Sequence, residues 1–112
     1  MKILLVEWDR KSAAARAERL RAAGHEVLVE SDDGALAYRT ARAEKPDVVL
    51  LDLRVKAAHS RQTARPLAGV KDPPRLVFLD GDDDQRERAA AIAPDAVFTT
   101  GDRLDETLDR LG

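Results

Sequence analysis

Two apolar runs in this chain end in acids. Ile3–Val6 runs out into Glu7, Trp8 and Asp9, and Val48–Leu51 runs out into Asp52 and Leu53. A third run, Leu76–Leu79, ends in Asp80. Carboxylates are hard oxygen donors, and several together hold a cation such as Mg2+. An aspartate can also act as a nucleophile and accept a transferred group. Glu7, Asp9, Asp52 and Asp80 therefore form the candidate acidic pocket. Left alone, such acids repel one another, and Arg54 and Lys56 follow Asp52 closely enough to fold back as compensating cations. Arg54 is favoured, because its planar fork can hold a carboxylate at two points.

The elements that would position these acids can be read from pattern. Val48–Leu51 is too short for an ordinary helix, is half β-branched and follows Pro46, so it reads as a strand buried on both faces. Open parallel sheets bind ligands beyond the carboxyl ends of such strands. The pattern predicts a first strand over Lys2–Val6, a helix over Arg10–Ala23 capped by Asp9, and a second strand over Val27–Val29. In that helix Ala13, Ala17 and Leu20 form the buried stripe, with Arg16, Arg19 and Arg21 facing water. A helix over Ala35–Glu44, with Leu36, Ala37 and Ala41 inward, precedes the central strand. Arg54–Arg65 reads as a loop with a short helix. A fourth strand over Arg75–Leu79, a helix over Gln85–Ala93, a fifth strand over Ala96–Thr99 and a last helix marked by Leu104, Leu108 and Leu111 complete the chain. Five strands alternating with helices predict an α/β fold, (βα)5, on a doubly wound parallel sheet.

Composition narrows the function. The chain has 112 residues, 36% of them charged, with a net charge of -2. That length suits residues 1–112 forming a single domain. The charge gives no electrostatic case for nucleic acid or an anionic membrane as partner. There is no cysteine, hence no disulfide, thiolate metal site or thiol nucleophile. With no apolar run near membrane-spanning length and no leader pattern, a cytoplasmic location is expected. His25 and His59 have no second ligand at metal-binding spacing. The acids Asp82, Asp83 and Asp84 lack the spacing of a calcium loop and read as a capped helix start. No Gly-rich phosphate loop and no nucleophile elbow is present, which weighs against a small α/β enzyme or cofactor binder.

In their order and spacing, KILLVEWD, AAGHEV, SDDGALAY, PDVVLLDL, RLVFLDG and APDAVFTTGD resemble the receiver domain of bacterial two-component response regulators along nearly the whole chain. The resemblance implies a flavodoxin-like fold with strand order 2-1-3-4-5. It also implies phosphorylation on the aspartate ending the third strand, with Mg2+ held by acids after the first. On that pattern Asp52 matches the phosphoacceptor and Glu7 the first acid. Other positions depart from it. Trp8 stands where the main metal-binding acid is expected, Asp80 in the Ser/Thr position, Thr100 in the Lys position and Gly101 where Pro usually follows. Val97 replaces the switch aromatic, and Lys56 and Ser60 replace the Pro and Gly of the loop after the acceptor.

These changes carry a physical cost. Asp80 sets a negative charge beside an incoming phosphoryl group, and Thr100 cannot offset it. At an effective dielectric of ~20, one like-charge contact at about 4 Å costs roughly 4 kcal/mol. The expectation is a degenerate, or pseudo-, receiver with no catalytic residues and no cofactor. It would be a stand-alone module without an effector domain, acting through a histidine kinase, a downstream effector or a second copy of itself. The competing expectation is a working phosphoacceptor in which Mg2+ binds Glu7, Asp9 and Asp52. Output is expected through the fourth and fifth strands and last helix, where Asp102, Asp105, Glu106 and Asp109 would present an acidic face to a basic partner.

Overall fold

The computed structural model describes all 112 residues. The strands are β1 (Lys2–Val6), β2 (Glu26–Glu30), β3 (Val48–Asp52), β4 (Arg75–Leu79) and β5 (Val97–Thr99). The helices are α1 (Arg10–Ala22), α2 (Gly34–Glu44), α3 (Ala57–Ala68), α4 (Asp83–Ile92) and α5 (Leu104–Leu111), the last entered by a 3-10 turn over Gly101–Arg103. Every strand pairing is parallel, and the sheet order is β2-β1-β3-β4-β5. The expected flavodoxin-like fold and strand order are those observed.

Strand alternation builds two apolar layers. Leu4, Val6, Val49, Leu51 and Phe78 pack with α2, α3 and α4. Ile3, Leu5, Val48, Leu50, Val77 and Leu79 pack with α1 and α5 on the opposite face. All five residues of β3 are buried, as a strand covered by helices on both faces must be.

Asp9 caps α1 by accepting from the Lys11 and Ser12 amides, and Asp33 caps α2 in the same way. Asp82 and Gln85 form a reciprocal capping box at α4, which accounts for the acids there without any ion.

Several expectations need correction. Helix α3 is a full helix of 12 residues rather than a loop with a short one. Its buried stripe is Ser60, Thr63, Ala64 and Leu67, so two of its four inward positions are hydroxyl residues that a count of apolar residues overlooks. Leu36, expected inward, is 41% exposed, whereas Ala37 and Ala41 are buried as expected. Arg16, expected in water, is only 8% exposed. The spacing explains why: Ala13, Arg16, Ala17 and Leu20 all lie on one face of α1 at i, i+3, i+4 and i+7. β2 is longer than expected, and the boundaries of α1, α2, α4 and β5 shift by one or two residues.

Candidate functional site at the carboxyl edge of the sheet

Alternation along the strands sorts the site residues between two faces. The Glu7 amide donates to the Glu30 carbonyl at 3.2 Å, which carries the β1–β2 ladder one residue beyond β1. Glu7 thus follows Ile3 and Leu5 toward α1, while Trp8 follows Leu4 and Val6 toward α2 and α3. Asp52 shares the parity of Val48 and Leu50 and belongs with Glu7 on the α1 side.

Arg16 meets these acids. Its Nε donates to Glu7 Oε1 at 2.7 Å, and both side chains are buried. Glu7 Oε2 has no hydrogen-bond partner. The other end of the guanidinium reaches the β5–α5 loop, where Nη1 and Nη2 lie 3.4 and 3.8 Å from the position a Cβ would take on Gly101. Asp80 Oδ2 is 3.9 Å from that same point. The Gly101 amide donates to Asp80 Oδ1 at 3.1 Å, so Asp80 fastens the β4 loop to the β5 loop. Asp80 and Gly81 are both left-handed, with φ of 58° and 83°. At Gly81 a Cβ would lie 2.7 Å from Leu53 Cβ, so glycine is needed on two counts.

Asp52 is closed off. Its side chain is 0% exposed; Oδ1 accepts from the Arg54 amide at 3.1 Å and Oδ2 from the Val55 amide at 3.2 Å. Burial pushes its carboxyl above the ordinary value, while those amides and the charges of Arg54 and Arg16 pull against the rise. Arg54 approaches to 3.9 Å with half its side chain in water. Arg16 is therefore the buried cation of the site, and the signal for it was the helix spacing noted above. Lys56 is exposed, left-handed with φ 51°, and makes no ion pair.

On the opposite side, Trp8 is 8% exposed within the α2–α3–α4 layer. Its indole N–H donates to Ser60 Oγ at 2.9 Å, and the Ser60 hydroxyl donates to the Asp52 carbonyl. His59 lies tilted against the Trp8 ring at 5.6 Å. Ser60 therefore ties the β1 loop to the end of β3, a role sequence reading missed.

Of the acids expected in one pocket, Asp9 has a separate task. Asp9 is exposed and committed to capping α1, and its acidity is strengthened chiefly by the Ser12 amide. No group of three His, Cys, Asp or Glu side chains is arranged to hold a metal ion. Mg2+ demands near-octahedral oxygen coordination, but Glu7 is paired with Arg16 and both Asp52 oxygens accept backbone amides. These residues do not fit Mg2+ as they stand.

Farther out, Val97 is half-buried against the α1–α5 layer, and Phe98 stacks on Phe78 at 5.4 Å. The groove between β5 and α5 mixes charges, since Arg86 pairs with Asp83 and Arg110 with Glu106. Asp102, Asp105 and Asp109 are exposed, yet the groove itself, about 320 Å³, is lined by Arg86, Arg103 and Arg110 beside Thr99, Thr100 and Glu106. His25 is far from the site and pairs with the N-terminal ammonium at 3.2 Å.

No family model and no curated relative matches the chain. Solved structures do. The BeF3-activated N-terminal receiver domain of RstA from Klebsiella pneumoniae is 27% identical with a TM-score of 0.80, covering 98% of this chain and 97% of that one. The signal receiver domain of a modulated diguanylate cyclase from Desulfovibrio desulfuricans G20 is 26% identical with a TM-score of 0.79, covering 98% and 91%. The chain has the response-regulator receiver fold. TrrA of Thermotoga maritima, in complex with Mg2+-BeF, has this receiver fold too, at 20% identity and a TM-score of 0.81 over 99% and 98% of the two chains. On the receiver fold of the present chain, a guanidinium from α1 stands among the acids at the carboxyl edge. No helix is long and apolar enough to cross a membrane.

Proposed function

We propose that this chain is a receiver-type module of a two-component pathway that works through protein contact, with Asp52 closed to phosphoryl transfer. The observation that carries this reading is the burial of Asp52: its side chain is 0% exposed, with one oxygen on the Arg54 amide and the other on the Val55 amide. Phosphoryl transfer needs an oxygen free for in-line attack and cations to neutralise the charge spread over the equatorial oxygens. Against the first requirement, both Asp52 oxygens are held by backbone amides; against the second, Asp80 adds a negative charge that Thr100 does not offset. Output then passes to a kinase-type or effector partner through shape and surface charge. Beside β5 the exposed acids Asp102, Asp105 and Asp109 favour a basic partner surface.

The deciding experiment is mass spectrometry of the intact chain after incubation with acetyl phosphate and Mg2+. An unchanged mass is expected. A phosphoryl adduct that disappears in Asp52→Asn would replace this reading with that of a working phosphoacceptor.

A further inference from the structure

The charged residues buried in this protein are Glu7, Arg16 and Asp52, and they stand together. Two carboxylates and one guanidinium leave this interior with a formal charge of -1. The two acids come from the ends of β1 and β3, while the cation comes from the middle of α1. Its Nε is bound to Glu7, its field acts on Asp52, and its terminal nitrogens border the point at Gly101 that Asp80 also borders. One side chain is thus paired with the acid after the first strand and directed toward the edge where the third and fourth strands also end in acids.

We infer that the Arg16 guanidinium is a tethered replacement for a divalent cation, and that removing it opens a divalent-cation site on Glu7 and Asp52. A mobile ion would have to share this space with a fixed positive charge, and apart from Glu7 Oε2 it would meet carboxylate oxygens that already have partners. Without Arg16, two buried carboxylates on one side of the sheet lose their counter-charge, a state that drives binding of a cation or a proton. Glu7 Oε2, which accepts no hydrogen bond, is already available as an oxygen ligand, and Oε1 joins it once Nε is gone. Arginine suits this task because its charge is permanent and its donors point both ways along a rigid plane. A Cβ at position 101 would lie 3.4 Å from Arg16 Nη1, so a side chain longer than alanine there would meet the guanidinium.

This inference deepens the reading of a site closed to phosphorylation, and its test is a thermal shift rather than labelling, so the two can fail separately. The wild-type chain, Arg16→Met and the double variant Glu7→Gln with Arg16→Met are melted with and without about 10 mM Mg2+, at matched ionic strength. Wild type is expected to be indifferent. Arg16→Met should gain ~5 °C, the shift for a millimolar Kd in a domain of this size, and the double variant should lose that gain. If Arg16→Met is unfolded without metal, the same comparison is made on refolding yield. An Arg16→Met chain that gains nothing from Mg2+, folded or not, overturns the inference, as does a saturable Mg2+ shift in wild type.

Discussion

Trp8 and Ser60 stand 52 positions apart in sequence and 2.9 Å apart in space, indole N–H to hydroxyl oxygen, with the serine hydroxyl in turn donating a hydrogen bond to the Asp52 carbonyl. The bond lies under the apolar layer, where a donor without a partner is expensive. Ser60→Ala should therefore destabilise the fold by about 1–3 kcal/mol in denaturant unfolding. Trp8→Phe combined with Ser60→Ala should cost less than the sum of the two single changes, because the orphaned donor is gone. Strict additivity would mean that the bond contributes nothing.

Arg16 and Arg54 make opposite predictions. Breaking a buried ion pair by removing one partner costs about 3–5 kcal/mol, and Arg16→Ala should fall in that range at neutral pH. Arg54 is half exposed and 3.9 Å from Asp52, so Arg54→Ala should cost about 0–1 kcal/mol. Equal losses would return the compensating role to Arg54.

The Asp52 carboxyl gives a pH signature of definite sign. Burial raises it above the ordinary 3.8, so its ionisation opposes folding at neutral pH. That penalty is absent below 3.8, grows as pH rises above it, and is complete once pH has passed the higher folded value. Measured against Asp52→Asn, which does not ionise, wild-type stability should fall as pH rises above 3.8 and level off at higher pH. A difference that stays flat, or that grows in favour of wild type, would remove Asp52 as its source.

Gly81 has no tolerance for a side chain. Its φ of 83° and the 2.7 Å approach of an added Cβ to Leu53 act in the same direction. Gly81→Ala should cost more than ~1 kcal/mol, with β4–α4 loop amides showing faster hydrogen exchange. A neutral substitution would mean that the loop can move away from Leu53.

The architecture was legible because its strands are apolar runs with breakers at both ends, such as Val48–Leu51 after Pro46. The candidate site was legible only in part. Asp52 and Glu7 stood out as acids at strand ends and Arg54 as the cation near Asp52, 3.9 Å away, but Arg16, the partner of Glu7, was placed in water because it is an arginine. Spacing was the better guide than residue type: position 16 lies between Ala13 and Ala17 on the inner face of α1, and alternation sends both Glu7 and Asp52 toward that face. The same weighting of type over position put Leu36 inside, where only Ala37 and Ala41 are buried. It also hid α3, whose inner stripe holds Ser60 and Thr63.

The two sides of the carboxyl edge rest on strands of unequal permanence. β1 and β3 each have a neighbour on both sides, so their amides open only when the whole sheet does. β5 is an edge strand of three residues, bonded to β4 alone, and such elements open at lower cost than central strands. Glu7 and Asp52 thus belong to the part of the molecule that persists, and Thr99, Thr100 and Gly101 to the part that frays. Arg16 spans the two, clamped to the persistent side through Glu7 and resting on the fraying side at Gly101. Arg16 therefore joins the central strands to the edge strand of the sheet.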